Sequence, residues 1–252
     1  MNIMLNKNFE HLENDLLEII SNYNNFENAF GTGKRNSIKK IDLGDRVIVV
    51  KSFKIPSLIN KLAYRFLRSS KAQRSYEYAT KLIELGIKTP TPIAFIEYFS
   101  ILGLSKSYYI SEFVNYKLTF RDLTNQPNYP KREKILRAFT KFTFDLHEKG
   151  IRFLDHSPGN TLILEKNVEY DFYLVDLNRM HFGILNFKER MKNFSRLTPM
   201  REMFEIMSDE YAKLYGKKQE IVFESMWNYR KKFEAKLTRK KRLKKYFQIN
   251  NT

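Results

Sequence analysis

The sequence contains no cysteine, no long apolar run and far fewer acidic than basic residues. The lack of cysteine excludes disulfides and cysteine-ligated metals, and it suits a reducing compartment. The apolar runs are too short to predict a membrane-spanning helix, and the N-terminus shows no secretory signal. A chain of 252 residues with this apolar content predicts a folded protein of one large or two smaller domains.

The positive charge is concentrated near the C-terminus. Lysine and arginine number 45 against 28 acids, a net charge of +17, and residues 230–245 hold ten basic residues and one acid. Such a segment attracts nucleic acid, anionic lipid or a phosphorylated substrate. Apolar side chains interrupt it, so we favour an anionic surface over a merely solvated tail. They are Phe233, Leu237, Leu243, Tyr246 and Phe247.

Predicted strands dominate the first half of the chain and predicted helices the second. Helical periodicity covers residues 11–20, 70–85 and 131–149. Strand patterns cover 38–43, 46–53, 93–99, 108–114, 161–164 and 172–175. This order predicts an α+β fold of two lobes joined by a hinge near 112–117. Residues 1–114 would form a small antiparallel sheet lobe with one main helix, and residues 115–252 a larger helical lobe with the basic tail.

The most informative motif is an acid, an amide five residues later and a second acid after an apolar strand: Asp155, Asn160 and Asp176. A phosphoryl-transfer site of the protein-kinase type needs this layout. The first acid accepts a proton from an alcohol, while the amide and the second acid bind magnesium against the phosphates of ATP. Alternatively, Asp155 and Asn160 form a turn that has only a structural role. Asp176 argues against this alternative, because an acid directly after an apolar strand needs a partner or a metal.

Upstream residues stand in the order that such a site requires. Lys51 ends an apolar strand, where a buried lysine needs an anionic partner such as a nucleotide phosphate and a helical carboxylate. Glu77 is the first candidate for that carboxylate and Glu84 the second. Gly31 and Gly33 precede the lysine strand and would let backbone amides approach phosphate. Each signal alone equally fits an exposed lysine, a surface glutamate or an ordinary turn.

The four histidines lack the close spacing of a zinc site. His147 lies at the end of a predicted helix, where it would interact with the last carbonyl groups. His156 follows the first acid directly, and a contact with substrate and a structural contact both remain open for it.

The ordered set of glycines, lysine, glutamate, acid, amide and acid resembles the protein-kinase-like superfamily. Three stretches narrow the resemblance: LGIKTPTPIA at 85–94, DHSPGN at 155–160 and VDLNR at 175–179. They resemble the lipopolysaccharide core kinase family (Kdo/WaaP, InaA-like). The resemblance extends over residues 31–179.

That family implies phosphorylation of a Kdo or heptose sugar in the lipopolysaccharide inner core, with ATP and Mg2+ as cofactors. It implies a cytoplasmic protein, peripheral at the inner face of the inner membrane, that binds an anionic glycolipid. The basic C-terminal region would then meet the membrane surface, and nucleic acid becomes an unlikely partner.

The resemblance also implies roles for individual residues. Asp155 would deprotonate the sugar hydroxyl, and Asn160 with Asp176 would bind magnesium. Lys51, held by Glu77, would contact the nucleotide phosphates. The backbone from Glu112 to Val114 would meet the adenine.

The sequence departs from typical protein kinases in three places. Phe153-Leu154 replaces the His-Arg pair before the catalytic acid, Asp176-Leu-Asn178 replaces Asp-Phe-Gly, and no Ala-Pro-Glu follows. These departures favour a small-molecule or glycolipid kinase over a regulated protein kinase. The alternatives are a kinase-like nucleotide-binding module whose tail binds nucleic acid, and a kinase for a protein or another small molecule.

Overall fold

The computed structural model describes residues 1–27, 36–54, 69–167 and 169–249, without the side chains of residues 245 and 247–249. The chain divides into two compact units. The first comprises Met1–Asn115 and Leu174–Arg179, and the second Tyr116–Tyr173 and Met180–Thr252. The mixture of helix and strand confirms the predicted α+β class.

A five-stranded antiparallel sheet forms the centre of the first unit, with the order β1-β4-β5-β3-β2. Its strands are β1 (Asn2–Leu5), β2 (Asn36–Asp42), β3 (Val47–Phe53), β4 (Pro92–Ser100) and β5 (Gly103–Glu112). The hairpin predicted at 38–53 is present as β2 and β3, turning at Gly44 with a φ of 85°. Edge strand β1 was not predicted; it pairs with β4, far away in the sequence, through partners such as Ile3 and Ile96.

The two helices of this unit, as far as the structure describes it, are α1 (Glu13–Ser21) and α2 (Lys71–Glu84). Leu16 and Ile20 of α1 join the buried residues Ile48, Val50 and Ile110 of the sheet in one apolar cluster. Side chains alternate along β3, so Ile48 and Val50 lie on one face of the sheet and Lys51 and Phe53 lie on the other.

Helix α2 begins and ends where the sequence predicts. The Ser70 side chain accepts a hydrogen bond from the amide of Gln73 at 3.1 Å, and Gly86 takes the left-handed conformation that ends a helix. Ala72 packs with Phe53 and Phe95 of the sheet, on the face that carries Lys51. The apolar face of α2 therefore packs on the face of the sheet that carries the lysine.

Helices predominate in the second unit. They are α3 (Phe120–Asn125), α4 (Arg132–Glu148), α5 (Phe187–Asn193), α6 (Arg201–Tyr215) and α7 (Gln219–Ile249). The short strands are β6 (Leu118–Thr119), β7 (Ile151–Phe153), β8 (Thr161–Lys166), β9 (Glu169–Leu174) and β10 (Met180–Phe182), with Leu174 belonging to the first unit. Fully buried aromatic residues, among them Phe139, Phe204 and Tyr211, fill the core between α4, α6 and α7.

The division of the chain differs from the expected boundaries of 1–114 and 115–252 because Leu174–Arg179 belongs to the first unit. Two hydrogen bonds hold this segment there. The amide of Leu174 donates to the carbonyl of Lys88 at 3.1 Å, and the Thr89 hydroxyl donates to the carbonyl of Leu174 at 2.7 Å. These bonds join residues far apart in the sequence, which is why a linear boundary missed them.

Within the described residues, no helix combines the length and the apolar character that crossing a membrane requires. The longest, α7, carries the basic segment of residues 230–245.

Candidate active site

In the first unit, the site residues centre on an ion pair. Lys51 Nζ lies 2.6 Å from Asp176 Oδ1, and the lysine side chain is 11% exposed while the aspartate side chain is 32% exposed. A lysine this deeply buried needs a carboxylate to offset the loss of hydration. The lysine strand and the segment after β9 thus meet at one point.

Asp176 is held in an unusual conformation. Its φ of 61° lies in the left-handed region, which aspartate tolerates better than most residues and which recurs at functional sites. Its Oδ1 also accepts a hydrogen bond from Asn178 Nδ2 at 2.5 Å. Because both contacts fall on Oδ1, Oδ2 is the oxygen that can bind a cation.

Lys51 has a different carboxylate partner from the one expected. Glu77 is exposed, and its Oε1 accepts a hydrogen bond from Gln73 Nε2 at 2.8 Å. The buried face of α2 carries Ala72, Ser75, Ala79 and Leu82, and helical geometry turns Glu77 away from that face. Glu84 is exposed as well.

The remaining site predictions for this unit concern the nucleotide. The amides of Glu112 and Phe113 donate to the carbonyls of Thr91 and Val47, both at 2.9 Å, and Val114 follows these sheet bonds. Contact of this segment with adenine stays a prediction. Gly31 and Gly33 lie outside the described residues.

The second unit holds the loop of Asp155 and Asn160, between β7 and β8. The carbonyl of Asp155 accepts hydrogen bonds from the amide of Ser157 at 2.7 Å and from Asn160 Nδ2 at 2.8 Å. The second bond directs the amide nitrogen of Asn160 toward the loop backbone. The side-chain oxygen, the atom that a cation binds, is therefore turned away from it.

Two arginines that sequence reasoning missed contact this loop. Arg196 Nη2 lies 2.8 Å from Asp155 Oδ1. The guanidinium of Arg121 lies over Gly159, where an added Cβ would stand 2.7 Å from its Nη2. An arginine side chain is long, and the residues next to it in the sequence do not indicate which distant loop it contacts. Sequence alone therefore could not identify either residue.

A buried chain of hydrogen bonds between neutral groups contacts β7 and the loop that follows it. The Tyr211 hydroxyl oxygen lies 2.9 Å from His147 Nδ1, and His147 Nε2 lies 3.1 Å from Asn193 Oδ1. Asn193 Nδ2 then donates to the carbonyl of Phe153 at 2.9 Å and lies 3.4 Å from His156 Nδ1. One arrangement of protons, with each histidine protonated on Nε2, fits all these contacts, and it leaves the buried Nε2 of His156 without a described partner. His147 and His156 thus have structural contacts.

Burial determines the charge of this network. It lowers the pKa of His147 to about 4 and that of His156 to about 3. Burial also raises the pKa of Tyr211, which keeps its hydroxyl as a donor. Both histidines are therefore neutral at neutral pH, as the hydrogen-bond chain requires.

Asn160 and Asp176 are the residues predicted to bind magnesium. The described residues hold no cluster of three or more histidine or acidic side chains that could bind a metal. Magnesium in nucleotide sites uses one or two carboxylates, and phosphates and water complete its shell. Taken separately, Asn160 in the second unit has an amide oxygen and Asp176 in the first has a carboxylate oxygen of the kind that magnesium binds, and binding of the ion stays a prediction.

Comparison with known proteins places these residues in context. The model of the lipopolysaccharide kinase (Kdo/WaaP) family matches residues 41–216. A solved structure titled "WaaP in complex with acyl carrier protein" is similar with a TM-score of 0.61 and 16% identity, covering 95% of this chain and 99% of that one. A search of curated proteins found no match.

We expect the free energy of unfolding to fall as the pH decreases from about 6.5, the ordinary pKa of histidine, toward 4. The unfolded chain binds protons on His147 and His156 in that range, whereas the folded chain does not until their lowered pKa values are reached. Urea unfolding at several pH values measures this loss. His156→Phe should flatten the dependence, and an equally steep dependence in that variant would show that His156 does not contribute.

Proposed function

The chain belongs to the lipopolysaccharide kinase (Kdo/WaaP) family, and we propose that this kinase transfers the γ-phosphoryl group of ATP to a Kdo or heptose hydroxyl of the lipopolysaccharide inner core. The observation that carries the proposal is the family match over residues 41–216, which includes Lys51, Asp155, Asn160 and Asp176. The loop that holds Asp155 and Asn160 and the pair of Lys51 with Asp176 support it.

In the proposed reaction, the Asp155 carboxylate accepts the proton of the sugar hydroxyl. The hydroxyl oxygen forms a bond to the γ-phosphorus, the bond between that phosphorus and the β–γ bridging oxygen breaks, and ADP leaves with the electron pair. Phosphoryl transfer of this kind depends mainly on positioning and on neutralising phosphate charge. Asp155 lies in a loop fixed by backbone and side-chain bonds, which suits positioning.

The nucleotide would be bound by Lys51, whose ammonium group would neutralise phosphate charge. Asn160 and Asp176 are the residues that would hold Mg2+, and the bound ion would neutralise the β- and γ-phosphates. The backbone at Glu112 to Val114 would contact adenine.

The exposed part of α7 supports a location at the inner face of the inner membrane. Residues 234–244 are exposed, and Leu237 and Leu243 stand among the basic side chains with exposures of 41% and 49%. Basic side chains attract anionic headgroups, and apolar ones enter the interface. The same surface would also bind the anionic glycolipid.

The catalytic assignment predicts that Asp155→Asn and Asp176→Asn each lower phosphoryl transfer by about 10²–10⁴-fold. The amides keep the shape of the side chains but lose the negative charge. Transfer of radiolabelled phosphate from ATP to isolated lipopolysaccharide measures the effect, and circular dichroism checks the fold.

Asp209→Asn is the matched control. Asp209 also pairs with an arginine of the second unit, Arg137, at 2.6 Å, but it lies on α6 rather than in the Asp155 loop. It should retain activity. Full activity in either Asp155→Asn or Asp176→Asn would reject the assignment. Mass spectrometry of lipopolysaccharide from cells with and without the gene tests the acceptor, since an unchanged core phosphate would reject it.

The partner of Lys51 can be tested in the same assay. We expect a large loss of transfer in Lys51→Met, because an apolar side chain cannot neutralise phosphate. Glu77→Gln should change little, because Glu77 is exposed and its described contact is with Gln73. A loss in Glu77→Gln as large as that in Lys51→Met would instead support the lysine–glutamate pair that the resemblance implies.

Membrane binding predicts a dependence on the charge of α7. Changing four exposed residues to glutamine should weaken binding to anionic vesicles by about 1 kcal/mol for each charge removed. They are Arg239, Lys240, Lys241 and Arg242. Vesicle sedimentation at increasing salt measures this. Four exposed lysines elsewhere in the unit serve as the control: Lys141, Lys188, Lys192 and Lys218.

Equal weakening in both sets would show that net charge rather than α7 binds the surface. Unchanged binding in the α7 variant would reject membrane contact through this helix and would leave a protein, such as an acyl carrier protein, as the partner to test.

A further inference from the structure

Arg196 joins the Asp155 loop at two points. Its Nη2 lies 2.8 Å from Asp155 Oδ1, and its Nη1 donates to the carbonyl of Leu154 at 3.3 Å. The guanidinium is planar and rigid, so two contacts from one group fix both the carboxylate and the backbone before it. The carboxylate of Asp155 thereby loses much of the rotational freedom that a loop side chain would have.

Phe233 of α7 in turn supports Arg196. The guanidinium carbon of Arg196 lies 5.5 Å from the centre of the Phe233 ring, and that of Arg230 lies 5.8 Å from the same centre. The Arg230 side chain is 10% exposed and pairs with Glu234 at 3.8 Å. The phenylalanine ring thus lies where α7 leaves the core, since Val222, Met226 and Arg230 are buried and residues 234–244 are exposed.

A second arginine in this unit also combines an ion pair with a contact to an aromatic ring of α7, and it serves as a structural comparison. Arg201 pairs with Glu205 at 3.0 Å and lies 4.9 Å from the ring of Phe223 on α7. Both residues of that ion pair belong to α6, so it links neighbouring turns of one helix. The Arg196 pair instead connects the segment after α5 to the loop of the proposed base.

We propose that Arg196 is a positioning residue that orients the Asp155 carboxylate, and that Phe233 of α7 holds Arg196 in place. The C-terminal helix is then part of the catalytic support, in addition to any role as a basic surface. This inference rests on the proposed function of Asp155.

The test compares Arg196→Met, Arg196→Lys and Phe233→Leu with the matched controls Arg201→Met and Phe223→Leu. Transfer to lipopolysaccharide and ATP hydrolysis are both measured, the second because water can replace the sugar as acceptor. We expect Arg196→Met to lower kcat by about 10²-fold, the usual effect of a misplaced reacting group, with KM for ATP unchanged. Arg196→Lys should recover part of the loss, because an ammonium group can pair with the carboxylate at a single point.

Phe233→Leu should lower kcat by about fivefold, in line with the loss of one cation–π contact. Its effect should disappear in the Arg196→Met background, because residues that act through one another are not additive. Arg196→Met should likewise add little to Asp155→Asn. Both control variants should keep the native kcat.

Native kcat in a folded Arg196→Met variant would overturn the proposal, as would equal losses in the controls or a loss confined to thermal stability. A native chain that hydrolyses ATP without phosphorylating lipopolysaccharide would reject the proposed acceptor, while hydrolysis would still report on Arg196. A native chain with neither activity would reject both proposals.

Discussion

The ion pair between Lys51 and Asp176 is the interaction on which the arrangement of the first unit depends. It joins two residues that are 125 positions apart, and together with the hydrogen bonds of Leu174 it holds the segment Leu174–Arg179 in the sheet unit. A largely buried lysine without a carboxylate would be costly, so lysine and aspartate stabilise each other's position. Several contacts fix this segment: the ion pair, the hydrogen bond from Asn178 and the hydrogen bonds of Leu174. Asp176 can therefore keep its left-handed backbone conformation.

In the second unit, the candidate loop is supported by a network of hydrogen bonds between neutral groups rather than by a buried ion pair. Tyr211, His147 and Asn193 form a hydrogen-bond chain that ends on the backbone of β7 and on His156, directly beside Asp155. Neutral groups cost less to bury than charges, and the paired donors and acceptors from Tyr211 to Asn193 favour one arrangement of the core. Charge appears where the loop reaches the surface, at Asp155 and Arg196.

Within each unit, this member of the lipopolysaccharide kinase (Kdo/WaaP) family has other residues where typical protein kinases have their characteristic ones. Leu154 stands where an arginine would precede the acid, and Arg196, from another part of the chain, lies 2.8 Å from Asp155. Asn178 stands where a glycine would follow the second acid, and its side chain binds that acid.

The sequence by itself determined most of the helices and strands and provided the candidate site residues. Helical periodicity with Ser70 and Gly86 as end signals located α2, and alternating apolar residues located the hairpin of β2 and β3. It did not reveal β1, because an edge strand of four residues is defined by its pairing with distant β4. The tertiary structure alone decided that Lys51 pairs with Asp176 rather than Glu77, and that Arg196 reaches Asp155. The physical reason is that local patterns follow from neighbouring residues, whereas the partner of a charge depends on which distant elements the core brings within a few ångströms.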